Sequence, residues 1–197
     1  EGLLRVRDAI AHLRGLYVFD KKAVLLPFNN LFACNNSCKK QCVEWASGQG
    51  NWTLGNDWHW ALLAVVGLPS LLPPFLGGQA PRAVCMVWLD SYPRATSAGK
   101  RAFIETRMND LLQELWTYHG LPPGTWEQIP LVSAANAPCQ SEYERNCGYR
   151  TMGFGLSLTL GENLDELIRS DGHRISPATG GHARCLAEAL APQMLAF

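Results

Sequence analysis

The sequence lacks any long uninterrupted hydrophobic run. A membrane-spanning helix needs about 18 or more consecutive apolar residues, and the longest candidate stretch, 61–76, is interrupted by Gly67, Pro69, Pro73 and Pro74. A signal-peptide pattern is also missing from the printed sequence. We therefore expect no membrane span and an intracellular location, in the cytoplasm or the nucleus.

An excess of charge of one sign is also missing. The 197 residues include 17 basic and 17 acidic side chains, so the formal net charge is +0. A protein without a net positive field has no general attraction for nucleic acid or for an acidic membrane surface, and we expect no nucleic acid as a partner. The composition is 47% hydrophobic, which is enough for one substantial core.

The length suits a single domain spanning 1–197. The polar, Cys-rich and Gly-rich stretch 29–57 and the Pro-rich and Gly-rich stretch 67–81 are predicted to be insertions in that domain. The chain begins at Glu1 with a helical pattern rather than with Met. We expect a domain excised from a longer protein, or a mature product.

The cysteines cannot all pair with one another, because there are seven of them. At least one thiol is therefore free or modified, which favours a reducing compartment with a reactive thiol. Cys34, Cys38 and Cys42 are spaced by four and would share one face of a helix, where they can supply three zinc ligands. No fourth ligand is evident, so a local disulfide or buried thiols are the favoured interpretation and we expect no metal.

The hydrophobic pattern predicts an α+β chain. Apolar runs predict five strands, whereas helical spacing and its stop signals predict three helices after the first fifteen residues. The strands are 16–19, 23–28, 58–66, 82–89 and 129–133; the helices are 97–118, 147–160 and 183–190. The Gly-rich stretch 171–181 is predicted to be a loop.

Four side chains have the chemistry of a thiol hydrolase. His59 lies near the start of the predicted buried strand 58–66, and Asp90 directly follows the predicted strand 82–89. Cys147 follows a polar loop that contains Gln140. A thiol attacks a carbonyl group as its thiolate, and both an imidazolium and a helix N-terminus lower a thiol pKa. An acid that orients the imidazole and an amide that binds the oxyanion complete such a site.

Each residue also has an ordinary structural explanation. A histidine among tryptophans is commonly a hydrogen-bonded core residue, and Asp-Ser-Tyr-Pro is a common turn after a strand. A single Cys-Gly pair carries little information. The order of the four elements along the chain, rather than any one of them, therefore favours catalysis.

That order resembles the ubiquitin-like-protein cysteine proteases, which include the SUMO proteases, bacterial deubiquitinase effectors and the adenovirus-type proteinases. The resemblance rests on Trp58-His59-Trp60, on Leu-Asp90-Ser, and on Gln140 followed by Cys147-Gly148. It covers about residues 23–160, including the strand Val24-Leu-Leu-Pro27 and the helix between the aspartate and the cysteine.

The resemblance implies a papain-like α+β fold with a central mixed sheet flanked by helices. It implies that His59 is the general base, Asp90 its orienting acid, Gln140 the oxyanion donor and Cys147 the nucleophile. No cofactor is implied. Substrate-binding residues would be Trp58, Trp60, Asn146 and Gly148, with Trp60 lining a narrow tunnel for a small-residue C-terminus such as Gly-Gly.

The implied substrate is a protein, either a ubiquitin-like modifier or a viral polyprotein. In the viral or effector case, the location would be the host cell. The sequence departs from the family at Asn146, where aspartate is usual, and the Gln140 to Cys147 spacing is one residue longer, with Gln128 as a reserve donor. Two other functions remain open: an acetyltransferase effector of the same fold, and a catalytically inactive protein-binding module.

Overall fold

A mixed four-stranded sheet lies at the centre of the protein. The computed structural model describes residues 15–29, 59–73, 83–92, 98–122, 127–140 and 146–190. In spatial order the strands are β1 (Ala23–Asn29), β2 (Trp60–Val66), β3 (Cys85–Leu89) and β4 (Leu131–Ser133). The first three are antiparallel neighbours, whereas β4 runs parallel to β3. These strands overlap four of the five predicted from the apolar runs.

The fifth predicted strand is wrong. Residues 16–19 contain one bend, two residues without regular structure and the start of a turn, not a strand. Val18 and Phe19 are nevertheless buried, and the Phe19 ring meets Trp116 edge to face at 5.1 Å between ring centroids. The apolar run therefore reflects packing against a helix, since periodicity alone does not distinguish a short buried turn from a short buried strand.

Four α-helices and a short 3₁₀ helix are present in the described ranges. The α-helices are α1 (Ala98–Tyr118), α2 (Cys147–Thr159), α3 (Gly161–Arg169) and α4 (Pro177–Leu190), and the 3₁₀ helix is Leu68–Leu71. None of the helices in the described part of the chain is long and apolar enough to cross a bilayer. The architecture is thus α+β, as the sequence predicts. The predicted insertion 29–57, apart from Asn29, and residues 74–81 of the insertion 67–81 lie outside the described residues.

The loop predicted over 171–181 is partly wrong, because α4 begins at Pro177. The Ser176 hydroxyl accepts a hydrogen bond from the backbone N–H of Thr179 at 3.1 Å. Serine at the N-cap followed by proline in the first turn is a helix start signal. Gly180 and Gly181 hid this signal in the sequence.

Both faces of the two central strands, β2 and β3, are buried, and each face covers a separate hydrophobic cluster. Alternate residues of β2 point to opposite faces: Leu63 and Val65 belong to the cluster that includes residues of α1, whereas Leu62 and Ala64 belong to the cluster that includes residues of α2 and α4. Burial on both faces explains why β2 is a continuous apolar run rather than an alternating one. The sheet is therefore a rigid support for the residues at its ends.

A glycine sets the distance between α2 and α4. A Cβ atom placed on Gly153 would lie 2.5 Å from Ala183 Cα, whereas one placed on Gly155 meets nothing within 4 Å. We expect Gly153→Ala to lower the free energy of unfolding by about 1–3 kcal/mol through overpacking. The matched variant Gly155→Ala should raise it by about 0.5–1 kcal/mol, because alanine favours a helix.

Urea unfolding of the two variants beside the unmodified protein measures this difference. Equal changes in the two variants would mean that the helices can separate at no cost, contrary to the packing described.

Candidate active site

The pairing of β2 with β3 brings the ends of these two strands together. Leu62 lies opposite Leu89 in the antiparallel register, so the residues just before β2 and just after β3 share one edge of the sheet. His59 immediately precedes β2 and Asp90 immediately follows β3. Both side chains are buried, with 4% and 3% exposure, and His59 Nε2 hydrogen-bonds to Asp90 Oδ1.

The Asp90 carboxylate is held by two further donors. The Tyr92 backbone N–H donates to Oδ1 at 2.8 Å, and the Trp88 indole N–H donates to Oδ2 at 3.1 Å. Burial opposes ionisation, but the hydrogen bond and charge interaction with His59 and these two donors together lower the pKa of Asp90 below its usual range. Asp90 is therefore an oriented anion facing His59.

Cys147 is the first residue of α2, so its side chain lies at the positive end of the helix dipole. Its Sγ accepts the backbone N–H of Trp60 at 3.5 Å and also hydrogen-bonds to His59. Since Nε2 of His59 contacts Asp90, the ring's other nitrogen, Nδ1, is the one available to Cys147. The structure thus brings Cys147, His59 and Asp90 into one chain of hydrogen bonds.

The pKa values of His59 and Cys147 are both shifted towards their charged forms. Burial lowers the pKa of His59, but the hydrogen bonds to Asp90 and Cys147 outweigh it and raise the pKa to about 9. Burial raises the pKa of the Cys147 thiol, but His59 and the backbone N–H groups of Trp60 and Gly148 outweigh it and lower the pKa. Both shifts favour a thiolate beside an imidazolium over the neutral thiol and imidazole.

Cys85 shows what burial does to a thiol without such partners. It is as deeply buried as Cys147, at 2% against 8% exposure. Burial, together with the negative charge of Asp171, raises the pKa of Cys85 to about 11. The environment of Cys147 therefore activates its sulfur, whereas that of Cys85 suppresses it.

These shifts predict the pH dependence of any hydrolysis at the site. Turnover should rise with pH as Cys147 ionises, at a pH below the ordinary thiol value. It should fall above about pH 9, because deprotonated His59 can no longer protonate the leaving group.

Initial rates with a fluorogenic peptide amide ending in Gly-Gly measure the profile. Alkylation of Cys147 by iodoacetamide serves as the control, because it needs only the thiolate and should not decline at high pH. A turnover profile that keeps rising beyond pH 10 would contradict the assigned role of His59.

Gln140 lies against the residue that follows Asp90. Its backbone N–H donates to the Ser91 carbonyl at 2.6 Å, and its side-chain Oε1 accepts the Ser91 hydroxyl at 3.0 Å. The loop that carries Gln140 is therefore fastened to the loop that carries Asp90. The reserve candidate Gln128 is exposed and directly precedes the buried Ile129.

The predicted substrate-binding residues occupy different settings. Trp60 is 37% exposed, and a Cβ atom on Gly148 would lie 3.7 Å from its ring, so the indole covers the start of α2 closely. Asn146 is buried, and its Oδ1 accepts the Arg150 side-chain Nε–H at 3.0 Å. Its contact with substrate stays a prediction. Trp58 lies outside the described residues.

The thiols predicted as metal ligands, Cys34, Cys38 and Cys42, also lie outside the described residues. Within the described ranges, no group of three or more His, Cys, Asp or Glu side chains is placed to hold a metal ion. Four cysteines in those ranges are free thiols: Cys85, Cys139, Cys147 and Cys185.

Two supporting residues were not singled out from the sequence. Trp88 lies two residues before Asp90, and the period of a strand places such residues on the same side, so their contact was predictable. The contact between Ser91 and Gln140 joins residues 49 positions apart, and no local pattern indicates it.

No protein-family model, no curated protein and no solved structure matches the chain.

Proposed function

We propose that the protein is a cysteine protease that hydrolyses peptide or isopeptide bonds through Cys147, His59 and Asp90. The observation that carries the proposal is the position of His59, which hydrogen-bonds both to Asp90 and to Cys147 in a buried setting. A purely structural histidine has no need of a thiol partner whose pKa is lowered. Perturbed titration of a nucleophile, a base and its orienting acid in one cluster is typical of catalytic sites.

The proposed reaction begins with the Cys147 thiolate attacking the carbonyl carbon of the scissile bond. The carbonyl oxygen becomes an oxyanion, which the backbone N–H of Cys147 and the Gln140 amide stabilise. The His59 imidazolium gives its proton to the leaving amine as the carbon–nitrogen bond breaks, which leaves a thioester on Cys147. Water then attacks the thioester with neutral His59 as base, releasing the acid and restoring the thiolate–imidazolium pair.

The fold assignment within the α+β class is part of the proposal. A nucleophile at the start of a helix, with its histidine and acid at the end of an adjacent sheet, is the papain-like arrangement that the resemblance implies. The mixed sheet and the order of β2, β3, α1, β4 and α2 agree with it. A protein with no net charge also suits a protein substrate better than a nucleic acid.

The proposed substrate has a small-residue C-terminus, from either a ubiquitin-like modifier or a viral polyprotein. Trp60 packs over the N-terminal turn of α2, where glycine at position 148 leaves no side chain beside the indole. A substrate C-terminus that reaches Cys147 alongside the Trp60 indole would have little room for large side chains next to the scissile carbonyl group. Gly-Gly fits such a passage.

Ubiquitin, SUMO and other modifiers carrying a C-terminal aminocoumarin amide test the proposal, beside peptide amides that end in Gly-Gly. We expect release of aminocoumarin from at least one of them. A parallel incubation with acetyl-CoA and a protein acceptor tests the acetyltransferase alternative. Acetylation without amide hydrolysis would replace the protease assignment, and inertness in both assays would favour a protein-binding module.

A further inference from the structure

Ser91 contacts Gln140 at two points. Its carbonyl oxygen accepts the Gln140 backbone N–H, and its hydroxyl donates to Oε1 of the Gln140 side chain. Ser91 itself is 1% exposed, and its side-chain bond to Gln140 is partly buried. One buried residue therefore fixes both the main chain and the side chain of the proposed oxyanion donor.

The second contact sets which end of the amide faces the reacting carbonyl. A glutamine side chain has an acceptor at Oε1 and a donor group at Nε2, and its terminal torsion has two broad, roughly equivalent orientations. Only the Nε2 orientation stabilises an oxyanion, because Oε1 would repel it. The Ser91 hydroxyl donates to Oε1 and thereby turns the NH₂ group away from Ser91.

We infer that Ser91 is a positioning residue, which acts through Gln140 by selecting the amide orientation that donates to the oxyanion. The inference rests on the proposed function. Two adjacent residues of the loop after β3 then each orient one group of the site: Asp90 orients the imidazole of His59, and Ser91 orients the amide of Gln140. Ser91 need not touch the substrate to do so.

The test compares two reactions of the same sulfur. With 4-nitrophenyl acetate, the Cys147 Sγ–carbon bond forms through an oxyanion and 4-nitrophenolate leaves. With iodoacetamide, the Sγ–carbon bond forms and iodide leaves, and no oxyanion appears. The ratio of the two rate constants at Cys147, located by mass spectrometry, therefore reports the oxyanion site separately from the thiolate.

We expect Gln140→Ala to lower this ratio about 100-fold, the usual cost of losing one oxyanion donor. Ser91→Ala should lower it about tenfold, the scale of one hydrogen bond. The double variant should match Gln140→Ala alone, because Ser91 has nothing to orient once the amide is gone. Ser133→Ala, which removes an exposed hydroxyl that accepts from Arg101, is the matched control and should leave the ratio unchanged.

The outcomes separate the inference from the proposed function. Two results would overturn only the inference about Ser91 and leave the protease assignment standing. One is a double variant in which the two losses multiply, and the other is an unchanged ratio in Ser91→Ala. Failure of Cys147 to be acylated in the unmodified protein would overturn the protease assignment instead. A normal alkylation rate in Ser91→Ala shows that the variant is folded with its thiolate intact, so a lowered ratio there cannot come from misfolding.

Discussion

Replacing Cys147 by alanine should abolish hydrolysis while leaving the protein folded. We expect at least a ~10⁴-fold loss of kcat, because no other group in the proposed site can form the acyl intermediate. The change removes the sulfur that accepts the Trp60 N–H, and a hydrogen bond of this kind contributes only about 1 kcal/mol to stability. The Cys147→Ala variant should therefore lose its activity and keep its fold.

Cys85→Ala is the matched control for this prediction. Cys85 is another buried thiol, but its pKa is raised rather than lowered, so its loss should leave kcat unchanged even if the core becomes less stable. Hydrolysis of the modifier aminocoumarin amides and thermal unfolding measure the two effects. Turnover by Cys147→Ala at the rate of the unmodified protein would remove the nucleophile from the mechanism.

The second large effect is expected for His59→Ala. Without the imidazolium, the Cys147 pKa should rise towards its ordinary value, because His59 makes the largest contribution that lowers it. At pH 7 the thiolate fraction would fall to about a few per cent, so alkylation of Cys147 should slow by roughly 10-fold to 100-fold. Turnover should fall much further, by ~10⁴-fold or more, since the leaving amine also loses its proton donor.

Raising the pH separates the two roles of His59. At about pH 10 the thiol of His59→Ala ionises by itself, so alkylation should recover, whereas amide hydrolysis should not. His173→Ala, which removes an exposed imidazole, is the control and should behave as the unmodified protein. Recovery of hydrolysis at high pH would mean that His59 serves only to ionise the thiol.

The sequence predicted those parts of the fold that a local pattern determines. The apolar runs of 58–66 and 82–89 and the predicted helix 147–160 place the elements that position His59, Asp90 and Cys147 within a few residues of their observed bounds. Antiparallel pairing of β2 and β3 then brings the first two together. The strand predicted at 16–19 was wrong, because apolar residues buried in a turn give the same short pattern as a strand.

The remaining details depend on contacts between distant parts of the chain. Helix α3 was not predicted. Helix α4 begins at Pro177, earlier than Gly180 and Gly181 suggested, and the Ser176 hydroxyl caps its first turn. The long Gln140 to Cys147 spacing could not be interpreted from sequence either. The double contact of Gln140 with Ser91 is a tertiary contact, and it anchors Gln140 itself.

The most direct measurement of the central claim is competitive alkylation of the thiols at neutral pH. Limiting iodoacetamide, followed by mass spectrometry of each peptide, ranks Cys147 against Cys85, Cys139 and Cys185. Accessibility alone would favour Cys139 and Cys185, which are exposed, over Cys147, which is buried. An ion pair of Cys147 with His59 predicts that Cys147 reacts first and loses that priority in His59→Ala. Preferential labelling of the exposed thiols in the unmodified protein would contradict the account.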